Sequence, residues 1–390
     1  MSIVYTILHY LRSCLNSLLS LFFSTQLLKT LTFDNGLQVR VGKKIAEGGF
    51  SFVFEATVSS NGSDANPTTH SSHGGQLALK RINCGDHELL QSCREEAGVH
   101  RALPRHDNLL ELLGLKFERD GGAHEYNVCY MLFPYIPNSL RGEMTNRNIL
   151  QQNNARQSAF TTREVLSIFG GVLDGLSTMH SCNISHRDVK IENVLLKQGH
   201  CYYTPVLMDF GSAGPLSVQL STRHEVLTAI EVASQLTTLS YRPPELFEGG
   251  LRHNDGNNIL DYGRVDVWSL GCLLFGLMHG CSPFEMEFVN NPYDVRVRIV
   301  ECTHLKILGE VPLPANANDG KDGHYPIDVY NFVKFMVCHD RKKRPDIKHV
   351  RNKFCQLHLT LTGEKWNEGG KAGRRGHDDF DSLIASRDFV

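Results

Sequence analysis

The chain has 390 residues, 41% of them hydrophobic and 21% charged, the proportions of an ordinary globular protein long enough for more than one lobe and for tails besides. A formal net charge of -2 removes any electrostatic case for nucleic-acid binding. Eleven cysteines, an odd number with no C-x-x-C pair, argue against a disulfide framework or a structural zinc and for a reducing compartment.

Residues 1–30 are apolar but interrupted by Arg12 and Asn16, so they do not read as a clean membrane-spanning helix. Three readings stand: an interfacial helix with an acylated Cys14, a signal anchor or signal peptide, or a helix packed on the domain. Position 2 is serine, so N-myristoylation is not expected. A single acyl chain anchors weakly, and the leucines and phenylalanines of the segment would have to add to it.

From Leu31 the pattern changes to two short strands around Asn35-Gly36. A second strand pair flanks Ala46-Glu47-Gly48-Gly49-Phe50-Ser51, with Val53 beyond it. Glycines there let backbone N–H groups approach a polyphosphate, although a plain hairpin has the same look. Residues 58–76 are rich in Ser, Gly, Asn and His and read as a disordered insert, whose His70 and His73 are either metal ligands or solvated loop residues. In the next strand, Leu77 to Ile82, alternation puts Ala78 and Lys80 on one face. A lysine inside an apolar strand needs an anionic partner. Glu96, on a helix predicted from Leu89 to Arg101, is the candidate, with Glu95 as the alternative.

Two further strands follow Leu113, the second running from Val128 to Phe133 and stopped by Pro134 and Pro137. The connector at 134–140 is the expected lobe boundary, and 141–160 read as a loose polar loop. A helix is predicted over Thr162–Ser181, with Val165, Ile168, Phe169, Val172, Leu173, Leu176 and Met179 on its core face.

Next comes Ile184-Ser185-His186-Arg187-Asp188-Val189-Lys190-Ile191-Glu192-Asn193, and then, after strand-like Val194–Leu196 and Val206–Met208, Asp209-Phe210-Gly211. Phosphoryl transfer needs a carboxylate for the hydroxyl proton, a cation for the phosphoryl charge and oxygen ligands for Mg²⁺. Asp188 offers the first, Lys190 the second, and Asn193 with Asp209 the third.

Thr222 to Gln235 lacks Gly and Pro and reads as helical, and residues 249–258 read as a surface insertion. Asp266 to Leu277 is apolar nearly all round, as a helix through the middle of a lobe would be, with Asp266 as its cap. Helices are expected at Ile327–Val337 and from Asp346 to about Leu357, joined by Arg341 to Arg344, read as either a basic patch or, by preference, a solvated connector. Residues 361–379 look disordered, and Phe380 to Ile384 resembles a short docking segment.

The ordered set Ala78-Leu79-Lys80, Glu96, His186-Arg187-Asp188 with Lys190 and Asn193, Asp209-Phe210-Gly211, Pro243-Pro244-Glu245, Asp266-Val267-Trp268 and Arg344-Pro345 resembles a eukaryotic protein kinase. Glu47 to Val53, Met208 to Ala213 and Thr237 to Phe247 look like the Numb-associated kinase family. Arg94-Glu95-Glu96-Ala97 and Asp266 to Cys272 look most like its myristoylated and palmitoylated serine/threonine kinase branch and the fungal vacuolar relatives. The resemblance implies an α+β, bilobal kinase fold, with an antiparallel sheet and one main helix in the N-lobe and a mostly helical C-lobe. The implied layout is an apolar segment 1–30, a kinase domain 31–357 (N-lobe about 31–134, C-lobe about 140–357) and a flexible polar tail 358–390.

By the same resemblance Lys80 holds the α- and β-phosphates of ATP and pairs with Glu96, Asp188 is the base, Lys190 contacts the γ-phosphate, and Asn193 and Asp209 hold Mg²⁺ or Mn²⁺. Thr238 supports Asp188 and Lys190, Phe133 is the gatekeeper, and Tyr135 and Ile136 present backbone to adenine. Glu245 pairs with Arg344, and Asp266 braces the catalytic loop. Lys190 marks the serine/threonine form, so the implied substrates are protein Ser/Thr hydroxyls. The helical reading of Thr222 to Gln235, within the activation segment from Asp209 to Glu245, implies constitutive activity. Ala46 and Ser51 depart from the glycine loop, and Pro243 replaces the commoner alanine. The branch implies the cytoplasmic face of a Golgi, vesicle or vacuolar membrane, reached through residues 1–30 and Cys14, and otherwise a cytoplasmic location. A membrane-tethered pseudokinase scaffold is the alternative function, and the oligomeric state is not legible.

Overall fold

The computed structural model describes residues 30–48, 51–59, 76–119, 128–147, 160–198, 203–247, 250–251, 259–291, 294–299, 311 and 325–367. The segment with Cys14, the insert at 60–75, Gly49, Phe50 and the tail from 368 lie outside them. The described residues fall into two compact units, one within Met1–Arg101 and Glu111–Tyr135, the other within Ala102–Leu110 and Ile136–Val390. Together they form an α+β fold of the kinase type.

The first unit is an antiparallel six-stranded sheet in the order β1-β2-β3-β4-β6-β5, with β1 Thr30–Thr32, β2 Gln38–Glu47, β3 Ser51–Val58, β4 Gln76–Asn83, β5 Gly114–Glu118 and β6 Val128–Pro134. Gly36 takes a left-handed φ of 80°, which lets the Asn35-Gly36 turn close β1 on β2. In β4, Leu77 and Leu79 join Ala56, Tyr130 and Leu132 in a core on one face. The other face carries Val53, Lys80 and Met131 in one row and Ala78 with Phe133 in the next, because opposite residues of an antiparallel ladder share a side. Helix α1, His87–Ala102, belongs to this unit, and Asp86 accepts from Leu89 N at 2.7 Å where it starts.

The second unit contains β7 Asn138–Ser139, α2 Leu140–Asn146, α3 Thr162–Ser181, β8 Ile184–Ser185, β9 Val194–Lys197, β10 Thr204–Leu207, β11 Gly214–Pro215, β12 Ser217–Gln219, α4 Arg223–Leu236, β13 Ile259–Asp261, α5 Tyr262–His279, β14 Met286–Asn291, β15 Asp294–Ile299, α6 Ile327–Met336 and α7 Ile347–Thr362. Helix α3 keeps its predicted span and starts on a capping box in which Thr161 and Glu164 satisfy each other's backbone N–H groups. Helix α4 starts the same way on Thr222 and Glu225. The Trp268-bearing helix α5 is buried along nearly its whole length.

Several expectations are corrected. Residues 141–160 do not all form a loop, since Ser139 caps α2. Asp266 is not a cap; α5 starts four residues earlier on Asp261, which leaves the Asp266 side chain inside the helix for another use. The last helix runs to Thr362, where Gly363 ends it at φ 75°, and Trp366 packs back on Phe354, so the ordered chain continues past 357. Ala102–Leu110 sits with the second unit although it lies in the sequence of the first, because Asn108 Nδ2 donates to Pro205 O at 2.7 Å and Leu110 N to Leu207 O at 2.9 Å. The paired strands β14 and β15 were not anticipated. Arg344 is no solvated connector; its side chain is fully buried. Cysteines among the described residues are free.

Candidate active site

In the first unit, the face of β3, β4 and β6 opposite the core carries the residues singled out there. Lys80 Nζ donates to Glu96 Oε1 at 2.8 Å and Oε2 at 3.1 Å, while Glu95 accepts from Gln91 instead. Helical spacing decides this choice, because Glu96 shares the buried face of α1 with Cys93 and His100. Phe133 is buried, its ring centroid 5.2 Å from that of His100. Ala46 and Glu47 pair with Val53 and Phe52 at the end of the β2–β3 hairpin, and Gly48 N donates to Ser51 O at 2.8 Å. Tyr135 N already donates to Gln76 O at 3.3 Å, which leaves only its carbonyl to present.

In the second unit, the polar loop between β8 and β9 is held from three sides. Asp188 Oδ1 accepts from Thr238 N at 3.1 Å and Thr238 Oγ1 at 2.8 Å; its Oδ2 accepts from Lys190 Nζ at 2.6 Å and Asn193 Nδ2 at 3.2 Å. Lys190 Nζ also donates to Thr238 Oγ1 at 2.8 Å, closing a ring of three side chains. Beneath the loop, fully buried Asp266 accepts from Arg187 N at 2.7 Å and from His186 N at 2.8 Å, with His180 Nε2 2.8 Å away. This is the use to which its place inside α5 puts it.

Asn193 and Asp209 come to one end of the β9–β10 hairpin, since Val194 pairs with Leu207 and Met208 N donates to Asn193 O at 2.9 Å. Asp209 has φ 65° and Arg187 φ 68°, left-handed values that cost a non-glycine residue roughly 1–3 kcal/mol each and persist where surrounding contacts enforce them. Phe210 is buried edge-on to His186, centroids 5.6 Å apart. Among the described residues no group of three or more His, Cys, Asp or Glu is placed to hold a metal. Two oxygen donors suit a hard cation that takes its other ligands from phosphate and water.

A family model for the protein kinase domain matches residues 40–354. The chain belongs to the protein kinase family. Serine/threonine-protein kinase 16 of Mus musculus is 33% identical over 336 residues, 86% of this chain and 95% of that protein. The Rattus norvegicus protein of the same name is 33% identical over 260 residues, 66% of this chain and 75% of that one. Serine/threonine-protein kinase sel-5 of Caenorhabditis elegans is 33% identical over 266 residues, 66% of this chain but 21% of its own length. These likenesses agree with the Numb-associated branch read from the motifs.

Some supporting residues of this kinase domain escaped the sequence reading. Arg141, on the unanticipated α2, donates to Glu192 Oε1 at 2.9 and 2.5 Å and to Gly280 O at 3.0 Å, tying α2 to the catalytic loop. The Ser139 cap was the available signal, and Gly142 obscured it. Arg242 donates to Thr237 Oγ1 at 2.6 Å and Thr237 O at 3.0 Å, and so closes the end of α4. The Glu245–Arg344 pair, by contrast, was expected from the resemblance and is present, buried and two-pronged at 2.6 and 2.9 Å.

Proposed function

We propose that this kinase domain transfers the γ-phosphoryl group of ATP to Ser and Thr hydroxyls of proteins. The observation that carries the reading is the ring of Asp188, Lys190 and Thr238, which fixes an acid and a cation side by side. Lys80, steadied by Glu96, is the cation for the α- and β-phosphates. Asn193 and Asp209 would hold Mg²⁺, which neutralises phosphate charge when bound. Asn193 spends its Nδ2 on Asp188, leaving its amide oxygen for the cation.

The Asp188 carboxylate has about four acceptor sites, and four donors meet them. An acceptor hydroxyl must therefore displace a donor, and Asn193 Nδ2, the longest at 3.2 Å, is the one lost most easily. Asp188 then orients the hydroxyl and takes its proton, while Lys190 stays on the transferring phosphoryl group. Lys190 and the serine/threonine kinases similar to the chain support Ser and Thr as acceptors.

The domain is read as constitutively active, supported by α4, which is capped at its start by Thr222 and tied at its end by Arg242. Residues 1–30, with Cys14 acylated, place it at the cytoplasmic face of a Golgi, vesicle or vacuolar membrane. No helix of the described residues is long and apolar enough to cross a bilayer. Incubation of the full chain with ATP and Mg²⁺ or Mn²⁺, followed by phosphoamino-acid analysis, tests the activity. Phosphoserine and phosphothreonine are expected, reduced by about 10²–10⁴-fold in Asp188→Asn. Equal incorporation in wild type and variant would overturn the assignment. Membrane flotation of the full chain against Cys14→Ser and a deletion of residues 1–30 tests the anchor.

A further inference from the structure

Arg187 of the catalytic loop is the residue type that, in kinases switched by phosphorylation, pairs with a phosphorylated side chain of the activation segment. In this chain its guanidinium is already surrounded. Cζ lies 3.8 Å from the centroid of the Tyr262 ring. Nη2 donates to Pro215 O at 2.9 Å and Nε to Ser185 Oγ at 3.1 Å. Gly214 lies so close that a Cβ there would fall 2.7 Å from both Cζ and Nη2. No carboxylate forms an ion pair with Arg187 among the described residues, and burial lowers it from its ordinary pKa, outweighing the opposing influence of Tyr262 and Asp266.

The same helix supplies both restraints. Asp266 of α5 holds the Arg187 backbone N–H at 2.7 Å, and Tyr262, first residue of α5, holds its side chain. The Pro215 carbonyl that takes the guanidinium belongs to β11, which pairs with β8 directly before the catalytic loop. Tyr262, Arg187 and β11 thus clamp the start of the activation segment to the catalytic loop through neutral groups.

We propose that Tyr262 is a positioning residue: with Gly214 making room, it fixes Arg187 and so holds the catalytic loop and β11 together without a phosphorylated residue in the activation segment. The proposal rests on the kinase reading above and adds how that site is kept assembled. It predicts that the activity is indifferent to removal of phosphate and sensitive to the Tyr262 ring.

The test uses the full chain, Tyr262→Leu, which keeps apolar bulk beside Leu220 and Val265 but removes the π face, and Tyr262→Phe, which keeps it. Phosphatase-treated wild type is expected to keep its rate on a protein substrate within about two-fold. Tyr262→Leu is expected to lose about ten-fold in kcat with the KM for ATP little changed, and Tyr262→Phe to recover most of the loss. Hydrogen exchange of residues 214–219 should quicken in Tyr262→Leu and return toward wild type in Tyr262→Phe, a readout that needs no turnover. Gly214→Ala, which drives a methyl group into the guanidinium, should match Tyr262→Leu and decides the matter if that variant does not fold. Loss of wild-type activity on phosphatase treatment, or unchanged rate and exchange in both Tyr262→Leu and Gly214→Ala, overturns the proposal. A wild type that phosphorylates no protein would instead refute the kinase reading, while exchange still reports on the clamp.

Discussion

Replacing Glu245 by alanine removes the acid lying against Arg344, whose side chain is 0% exposed. Glu245 accepts two charge-assisted hydrogen bonds, at 2.6 and 2.9 Å, each worth about 1.5–3 kcal/mol, so their sum is about 3–6 kcal/mol. Breaking a buried ion pair by removing one partner costs about 3–5 kcal/mol, which agrees. Arg344 cannot turn to water, since it also donates to Cys338 O at 2.9 Å and Arg264 O at 3.0 Å and lies over the Trp268 ring at 4.9 Å. Urea unfolding followed by tryptophan fluorescence reads this unit alone, because the only two tryptophans are Trp268 and Trp366. With m about 3 kcal/mol/M, the midpoint should fall by roughly 1–2 M. The paired replacement Glu245→Leu with Arg344→Met should recover most of the loss, because no charge is left stranded. A shift under about 0.3 M at unchanged m, or a double variant no better than the single, would refute the reasoning.

Glu164 is held below its ordinary value of 4.5: burial pushes it up, but the Thr161 N–H and hydroxyl and the Arg147 guanidinium together outweigh that. Its contribution is therefore complete above 4.5 and lost as pH falls through the lowered folded value, so Glu164→Gln should melt below wild type at neutral pH and converge with it in acid. Trp366 donates from Nε1 to Asp174 Oδ2 at 3.0 Å and packs 5.2 Å from Phe354. Trp366→Ala should cost about 3–5 kcal/mol in urea unfolding, and a chain ending at 357 should do no better. In Gly171→Ala a Cβ would fall 2.5 Å from Pro205 Cγ and 2.8 Å from Asn108 Nδ2, and calorimetry should show overpacking of about 1–3 kcal/mol.

Helix α3 was legible to the residue because its apolar period and its Thr161 to Glu164 box are both local. The Lys80 to Glu96 pair was legible to within the choice of neighbouring glutamates, which needed the packed face of α1 to settle. Asp266 was recognised from its motif as a brace for the loop, yet local patterning misread it as a cap, since a helix start is a soft signal and Asp261 competes for it. Arg242 and Trp366 gave no readable signal and Arg141 only the Ser139 cap of its helix, because each finds its partner through the fold and none through a period.

The sequence alone supplied the acid, the cation and the oxygen donors proposed for the chemistry, and their order, since Asp188, Lys190 and Asn193 stand at short fixed spacings along one loop and Asp209 follows one hairpin later. Only the tertiary structure decided what holds them. Four donors from Lys190, Asn193 and Thr238 converge on Asp188, Asp266 reaches back about eighty positions to two N–H groups, and Tyr262 closes over Arg187. Such contacts join residues far apart in the chain, so their geometry is set by the packing of whole helices and is absent from any local pattern.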